Sequence, residues 1–236
     1  MAVYKIADVT FELKTIFGYT PKLCEKYLFD GQPEFVIETT MQDIQAEKVN
    51  VENFPDYYLE SLAVYRKLCT KIVKDYNGFI FHCSALAVDG KAYVFTAPSG
   101  TGKSTHSKLW RDLLGDKVVM INDDKPIFRL VDGKFYVYGT PWDGKHRLST
   151  NTRAEIKAIA QISQAKENFI KKSTPQDMFQ MIFNQTLRFE DAENMLKLLD
   201  LLEKLMEKVD LYTLGVNMDI SAAELAYGVM SGIKEI

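Results

Sequence analysis

"APSGTGKST", Ala97 to Thr105, lies between the apolar run "YVFT" and the run "HSKLWRDLL", which reads as a helix. Gly100 and Gly102 free the backbone to turn successive N–H groups inward. The start of the following helix adds unpaired N–H groups and a positive dipole end, so the turn is built to receive an anion. Gly102-Lys103-Ser104 matches the end of the G-x-x-x-x-G-K-[ST] pattern, with Ala97 where the first glycine would stand. The spacing assigns Ser99, Gly100, Thr101, Gly102, Lys103, Ser104 and Thr105 to nucleotide phosphates. Lys103 is expected to reach the β- and γ-phosphates as a point charge, and Ser104 to ligate Mg²⁺ with Thr105 beside it. The alternative is a glycine-rich turn with an incidental lysine; the strand before and helix after favour the cradle.

A phosphate cradle binds, and transfer needs a second group. "KVVMINDDKP" offers one, because a short apolar strand ends in Asn122-Asp123-Asp124 and so delivers two carboxylates where strand meets loop. One can hold Mg²⁺ and the other can accept a proton from an attacking hydroxyl. Alternation along a strand separates neighbouring side chains, so the two are expected to differ in role. Upstream, "FIFHCSALAVDGKAYVFTA" reads as two β-rich runs joined by Asp89-Gly90, a pair that favours a two-residue hairpin turn. That turn sets Val88 opposite Lys91, Leu86 opposite Tyr93 and Ser84 opposite Phe95. Carried two residues further, the register puts His82 opposite Ala97, at the mouth of the loop. A histidine in an apolar strand can equally be a hydrogen-bonded core residue.

The rest of the chain frames this centre. At 236 residues and 47% hydrophobic content the chain can bury a sizeable core. A net charge of -3 disfavours nucleic-acid and anionic-membrane partners, so a phosphate site must be local. The three cysteines, Cys24, Cys69 and Cys83, show no paired spacing, and no window reaches transmembrane length. A soluble, cytoplasmic protein is expected. Residues 2–14 and 34–40 read as strands, and Leu59, Leu62, Tyr65, Cys69 and Ile72 mark a long helix stopped at Gly78. A second hairpin turns at "VDGK", Val131 to Lys134. "GTPWDGKHRLSTN" follows as a loop in which Trp142 can stack on a base or substrate while Lys145, His146 and Arg147 gather positive charge. Trp142, Lys145 and Arg147 are therefore substrate candidates, against the reading of a solvated loop with one aromatic anchor. "AEIKAIAQIS" is a strand, and Thr174-Pro175 and Ser221 with Glu224 mark helix starts. Met195, Leu198, Leu199, Leu202, Leu205 and Met206 form one apolar stripe, read as core. The expected organisation is a single compact domain over 1–236, with a small β-rich part over 1–54, a nucleotide-binding core over 55–165 and a mainly helical part over 166–236.

"FHCSALAVDGKAYVFTAPSGTGKST" followed by "INDD" resembles the nucleotide-binding core of ATP-dependent phosphoenolpyruvate carboxykinases and bacterial HPr kinase/phosphatases. The resemblance rests on H-C-S-A at His82 to Ala85, S-G-T-G-K-S at Ser99 to Ser104 and D-D at Asp123 and Asp124, in the family's order, and covers roughly residues 79 to 125. It implies an α/β fold with a mixed β-sheet, a P-loop at a strand-helix turn and a helical C-terminal part. It also implies a catalytic metal, Mg²⁺ or Mn²⁺, beside His82, Ser104, Asp123 and Asp124, with ATP as cofactor. Carboxykinases carry a preceding domain that grips oxaloacetate, and fewer than a hundred residues precede His82 here, so full carboxykinase activity is not expected. The R-G signature of HPr kinases is not seen either, so HPr need not be the substrate. The expected function is an HPr kinase-like, ATP- and Mg²⁺-dependent kinase. Its catalytic residues are Asp123, Asp124, His82 and Lys103, and its acceptor is a hydroxyl of a peptide, protein or small molecule. The alternatives are a non-catalytic nucleotide sensor and a phosphoenolpyruvate carboxykinase-related enzyme; oligomeric state is not legible.

Overall fold

A computed structural model describes residues 2–48 and 54–233. The chain divides into two compact units, Met1–Tyr76 and Asn77–Ile236.

In the first unit, β1 (Val3–Ile6) and β2 (Val9–Lys14) form a hairpin through Ala7 and Asp8, both at positive φ. The short helix α1 (Tyr19–Leu23) and a 3₁₀ turn, Glu25–Tyr27, follow. β3 (Phe35–Glu38) then pairs parallel to β2 and completes a three-stranded sheet. Two helices close the unit, α2 (Met41–Lys48) and α3 (Asp56–Asp75). The buried Glu60 on α3 accepts the Ile16 and Phe17 N–H groups at 2.6 and 3.0 Å and the Thr39 hydroxyl at 2.7 Å. The long helix thus belongs to the first unit, packed on α1, α2 and β3, and not to a core beginning at residue 55. Its buried face, Leu59, Tyr65, Cys69 and Ile72, has its partners there. It stops one residue earlier than read, because Asn77 takes the left-handed conformation (φ 49).

The second unit opens with β4 (Gly78–Ile80), β5 (Ser84–Val88), β6 (Lys91–Thr96), α4 (Lys103–Leu114) and β7 (Val118–Asn122). The hairpin β8 (Ile127–Val131) and β9 (Lys134–Tyr138), the 12-residue strand β10 (Arg153–Gln164) and β11 (Phe169–Lys172) follow. Last come α5 (Pro175–Asn184), α6 (Ala192–Lys208), β12 (Asp210–Val216) and α7 (Ser221–Met230). The strands make one mixed sheet in the order β4-β8-β9-β10-β6-β5-β7, with β12 parallel to β10 and β11 outside β12. Both expected hairpins form. Asp89-Gly90 and Asp132-Gly133 sit at φ 50, 76 and φ 49, 76, the conformation their residue types permit at little strain.

The C-terminal part is mainly helical, in α5, α6 and α7, and it also adds β11 and β12 to the main sheet. The α6 stripe is core, with Leu198, Leu202, Leu205 and Met206 buried. Thr174 caps α5 in a reciprocal box with Asp177. No such box forms at Ser221. Asp219 does the work there, its Oδ1 accepting the Ser221 N–H at 2.9 Å. Among the described residues no helix is long and apolar enough to cross a membrane.

Candidate functional site

β6 and β7 are both antiparallel to β5, which lies between them, so they run in the same direction. Their C-terminal ends, Thr96 and Asn122, therefore emerge at one edge, two strand spacings or about 10 Å apart. The glycine turn leaves from the first and the aspartates from the second. Ligands of open α/β sheets favour this edge.

Thr101 closes the turn by donating both its N–H and its hydroxyl to the Pro98 carbonyl, at 3.3 and 2.9 Å. Gly100 lies at φ 81 and Gly102, the cap of α4, at φ 120. α4 has neither a side-chain cap nor an acidic residue in its first turn, so no carboxylate of its own competes for its leading N–H groups. Lys103 is buried and its Nζ donates to the Ala97 carbonyl across the loop at 2.9 Å. Burial lowers its pKa, while Cys83, Asp124 and Asp123 act in the opposite sense. Ser104 and Thr105 are exposed at the helix start.

On the other side, the Asn122 side chain organises the strand exit. Its Oδ1 accepts the Asp124 and Lys125 N–H groups, each at 2.8 Å, while its Nδ2 donates to the Thr140 carbonyl at 3.0 Å. The two aspartates do differ. Asp123 is buried, and its Oδ1 has no hydrogen-bond partner among the described residues. Asp124 is more open, with Oδ2 on Lys125 Nζ at 2.5 Å and Oδ1 3.4 Å from His82 Nε2.

His82 reaches this place by a different route from the one its sequence suggests. The β5–β6 ladder follows the expected register, Val88 with Lys91, Leu86 with Tyr93 and Ser84 with Phe95, and ends there. The stretch 78–88 is two strands, and β4 pairs with β8 instead. His82 therefore has no ladder partner in Ala97. Its N–H donates to the Gln185 carbonyl at 2.8 Å, and its carbonyl accepts the Thr96 hydroxyl at 3.4 Å. Burial and then the Lys103 charge lower its pKa, against the Gln185 hydrogen bond and the Asp124 charge. Beneath it the Cys83 thiol is buried and pushed well up by desolvation. His82, Lys103, Asp123 and Asp124 thus come together from three separated segments.

The loop candidates divide. Trp142 is 6% exposed, so it presents no face on which a base could stack. Lys145, His146 and Arg147 are exposed on a turn closed by the Arg147 N–H to the Gly144 carbonyl at 3.0 Å. Gly144 lies against Asp123, where a Cβ would stand 3.3 Å from Asp123 Oδ2, so this turn borders the carboxylates. Sequence reasoning missed Gln185, which lies in "FNQT" at the end of α5 with no local signal of a role.

Among the described residues no three His, Cys, Asp or Glu side chains converge as a ready-made metal cage. Magnesium seldom requires one, since it takes one or two carboxylates and completes its shell with phosphate oxygens and water. The more open Asp124 carboxylate, the exposed Ser104 hydroxyl and the open helix start fit a magnesium-bound nucleotide.

Neither a protein-family model nor a curated protein sequence matches the chain. Among solved structures, the Hpr(Ser) kinase/phosphatase from Coxiella burnetii matches at 12% identity and a TM-score of 0.31, over 52% of this chain and 86% of that one. A likeness at that level assigns no residue and no reaction.

Proposed function

We propose that this protein is an ATP- and Mg²⁺-dependent phosphotransferase that moves the γ-phosphoryl group to a hydroxyl acceptor. The observation that carries the reading is the meeting of Lys103 and the open start of α4 with two unlike carboxylates at one sheet edge. When bound, the magnesium nucleotide supplies the transferable group and a cation that offsets its charge. The backbone of Ser99 to Gly102 and the first turn of α4 would hold the phosphates. Lys103 would exchange its Ala97 carbonyl for a phosphate oxygen. Ser104, Asp124 and His82 would lie on the metal side. Asp123, with a buried oxygen to spare, would take the acceptor's proton. The exposed cations Lys145 and Arg147, beside Asp123, would meet the acceptor. Positioning and fixed charge supply most of what phosphoryl transfer requires, so this short list is sufficient.

Lys103→Met keeps the aliphatic stem and removes the charge. A charge-assisted contact is worth about 1.5–3 kcal/mol, so Mg-ATP affinity by calorimetry should fall about tenfold or more, with the melting temperature measured alongside because the variant also gives up the Ala97 contact. A wild-type protein that does not bind Mg-ATP, or a variant that binds it equally well, would overturn the reading. Binding without transfer of label from γ-labelled ATP to any acceptor in a cell extract would favour a sensor.

A further inference from the structure

His82 is gripped twice by one residue far away in the chain. The Gln185 carbonyl accepts the His82 N–H at 2.8 Å, and Gln185 Oε1 lies 2.7 Å from His82 Nδ1. Next to them Phe81 and Thr186 form an isolated antiparallel bridge. Gln185 is itself fixed. It caps the C-terminus of α5, its N–H shared between the Met181 and Ile182 carbonyls, and the other end of α5 is locked by Thr174 and Asp177. The helix acts as a strut that ends on the imidazole.

The two ring nitrogens are unequally engaged. At 2.7 Å the Nδ1 contact has the length of a formed hydrogen bond, whereas Nε2 stands 3.4 Å from Asp124 Oδ1, whose carboxylate is already paired with Lys125. An amide oxygen only accepts, so the shared proton lies on Nδ1. A neutral imidazole carrying its proton there has a lone pair on Nε2. We propose that Gln185 is a positioning residue that holds His82 as the Nδ1–H tautomer and turns the Nε2 lone pair toward Asp124. Two lone pairs facing each other repel unless a cation or a shared proton sits between them, so the pair is set to receive one. The catalytic use of that lone pair rests on the phosphotransferase reading above; the tautomer itself does not.

The test labels the full chain with ¹⁵N-histidine and reads ring-nitrogen shifts at about pH 8.5, where an imidazole is neutral. His82→Asn identifies the resonance. Wild type should show His82 as Nδ1–H. Gln185→Glu should keep it, because a carboxylate only accepts, and Gln185→Leu should release the ring to the Nε2–H form that free histidine favours. An Nε2–H wild type overturns the proposal outright, even if the leucine variant fails to fold, and so does an Nδ1–H leucine variant. In turnover, Gln185→Leu should lose roughly 10–100-fold in kcat, with Gln185→Glu recovering most of it. Should the wild type not bind Mg-ATP, the phosphotransferase reading falls while the tautomer result still decides the role of Gln185.

Discussion

His106 gives the structure a measurable dependence on acid. It lies on the second turn of α4, 1% exposed, with its ring edge-on to Phe95 at 4.7 Å between centroids. Trp110 Nε1 donates to His106 Nε2 at 3.0 Å, while His106 Nδ1 is buried without a hydrogen-bond partner among the described residues. A second proton would therefore have to enter at the nitrogen that already accepts one. Burial holds the His106 pKa down, at about 4 against an ordinary 6.5.

Because the folded value lies below the unfolded one, the stabilisation is complete above about pH 6.5 and is lost as pH falls toward 4, the unfolded chain taking up the proton first. Between about pH 7.5 and about pH 5.0 this amounts to about 2 kcal/mol. With an urea m-value of about 2 kcal/mol/M the midpoint should fall by about 1 M. Both tryptophans, Trp110 and Trp142, are buried in the second unit, so fluorescence reports its unfolding. Carboxylates also titrate in this window, and His106→Gln corrects for them. The glutamine offers Trp110 an amide oxygen and binds no proton, so its midpoint should move with pH by about 1 M less than wild type. Equal shifts in the two proteins would refute the reasoning, as would a His106 ring that titrates near 6.5 in the folded state.

Two further outcomes test the site. Asp124→Asn should weaken Mg-ATP binding about tenfold or more and abolish transfer, whereas Asp123→Asn should abolish transfer and leave binding nearly unchanged; calorimetry with γ-labelled ATP separates the two, and transfer persisting in both variants removes the mechanism. Gly139→Ala should destabilise the protein by about 3 kcal/mol or more in urea melts, because a Cβ there would overlap the Thr150 carbonyl oxygen and stand 2.8 Å from that of Ile121.

Where a few neighbouring residues decide a feature, the sequence was a sufficient guide. Asp-Gly fixed both hairpin turns and hence the pairing of Ser84 with Phe95, because two positive-φ residues admit only one register. Glycines at Gly100 and Gly102, before an amphipathic run, located the turn and the start of α4. What failed depends on distant chain. The apolar run around Phe81 reads as one strand, yet it breaks where Gln185, 103 residues on from His82, supplies the backbone partner. Trp142 read as an exposed stacking surface because its neighbours are polar, but its burial is set by tertiary packing that no local pattern encodes. β12 hid behind the strong helical stripe of α6, its "LYTLGV" showing its strand character only when laid beside β10.

The aim of the carboxylates comes from a defect in the ladder. β5 pairs Leu86 with Met120 but Ala85 with Asn122, so β7 carries one extra residue, Ile121. A bulge of this kind turns the residues that follow it onto the other face of the strand. Without it Asn122 would stand opposite Ser84, and its side chain would point away from the backbone groups of Thr140, Asp124 and Lys125 that it now ties together. The bulged carbonyl of Ile121 accepts the Thr150 N–H at 3.2 Å, and the chain passes close enough at Gly139 to leave no room for a side chain. Ile121, Gly139 and Thr150 are not themselves candidate ligand groups, yet they hold the bulge that sets which face of β7 the aspartates leave from. The placement of Asp123 and Asp124 opposite Lys103 therefore depends on three residues that shape the strand exit from outside the cluster.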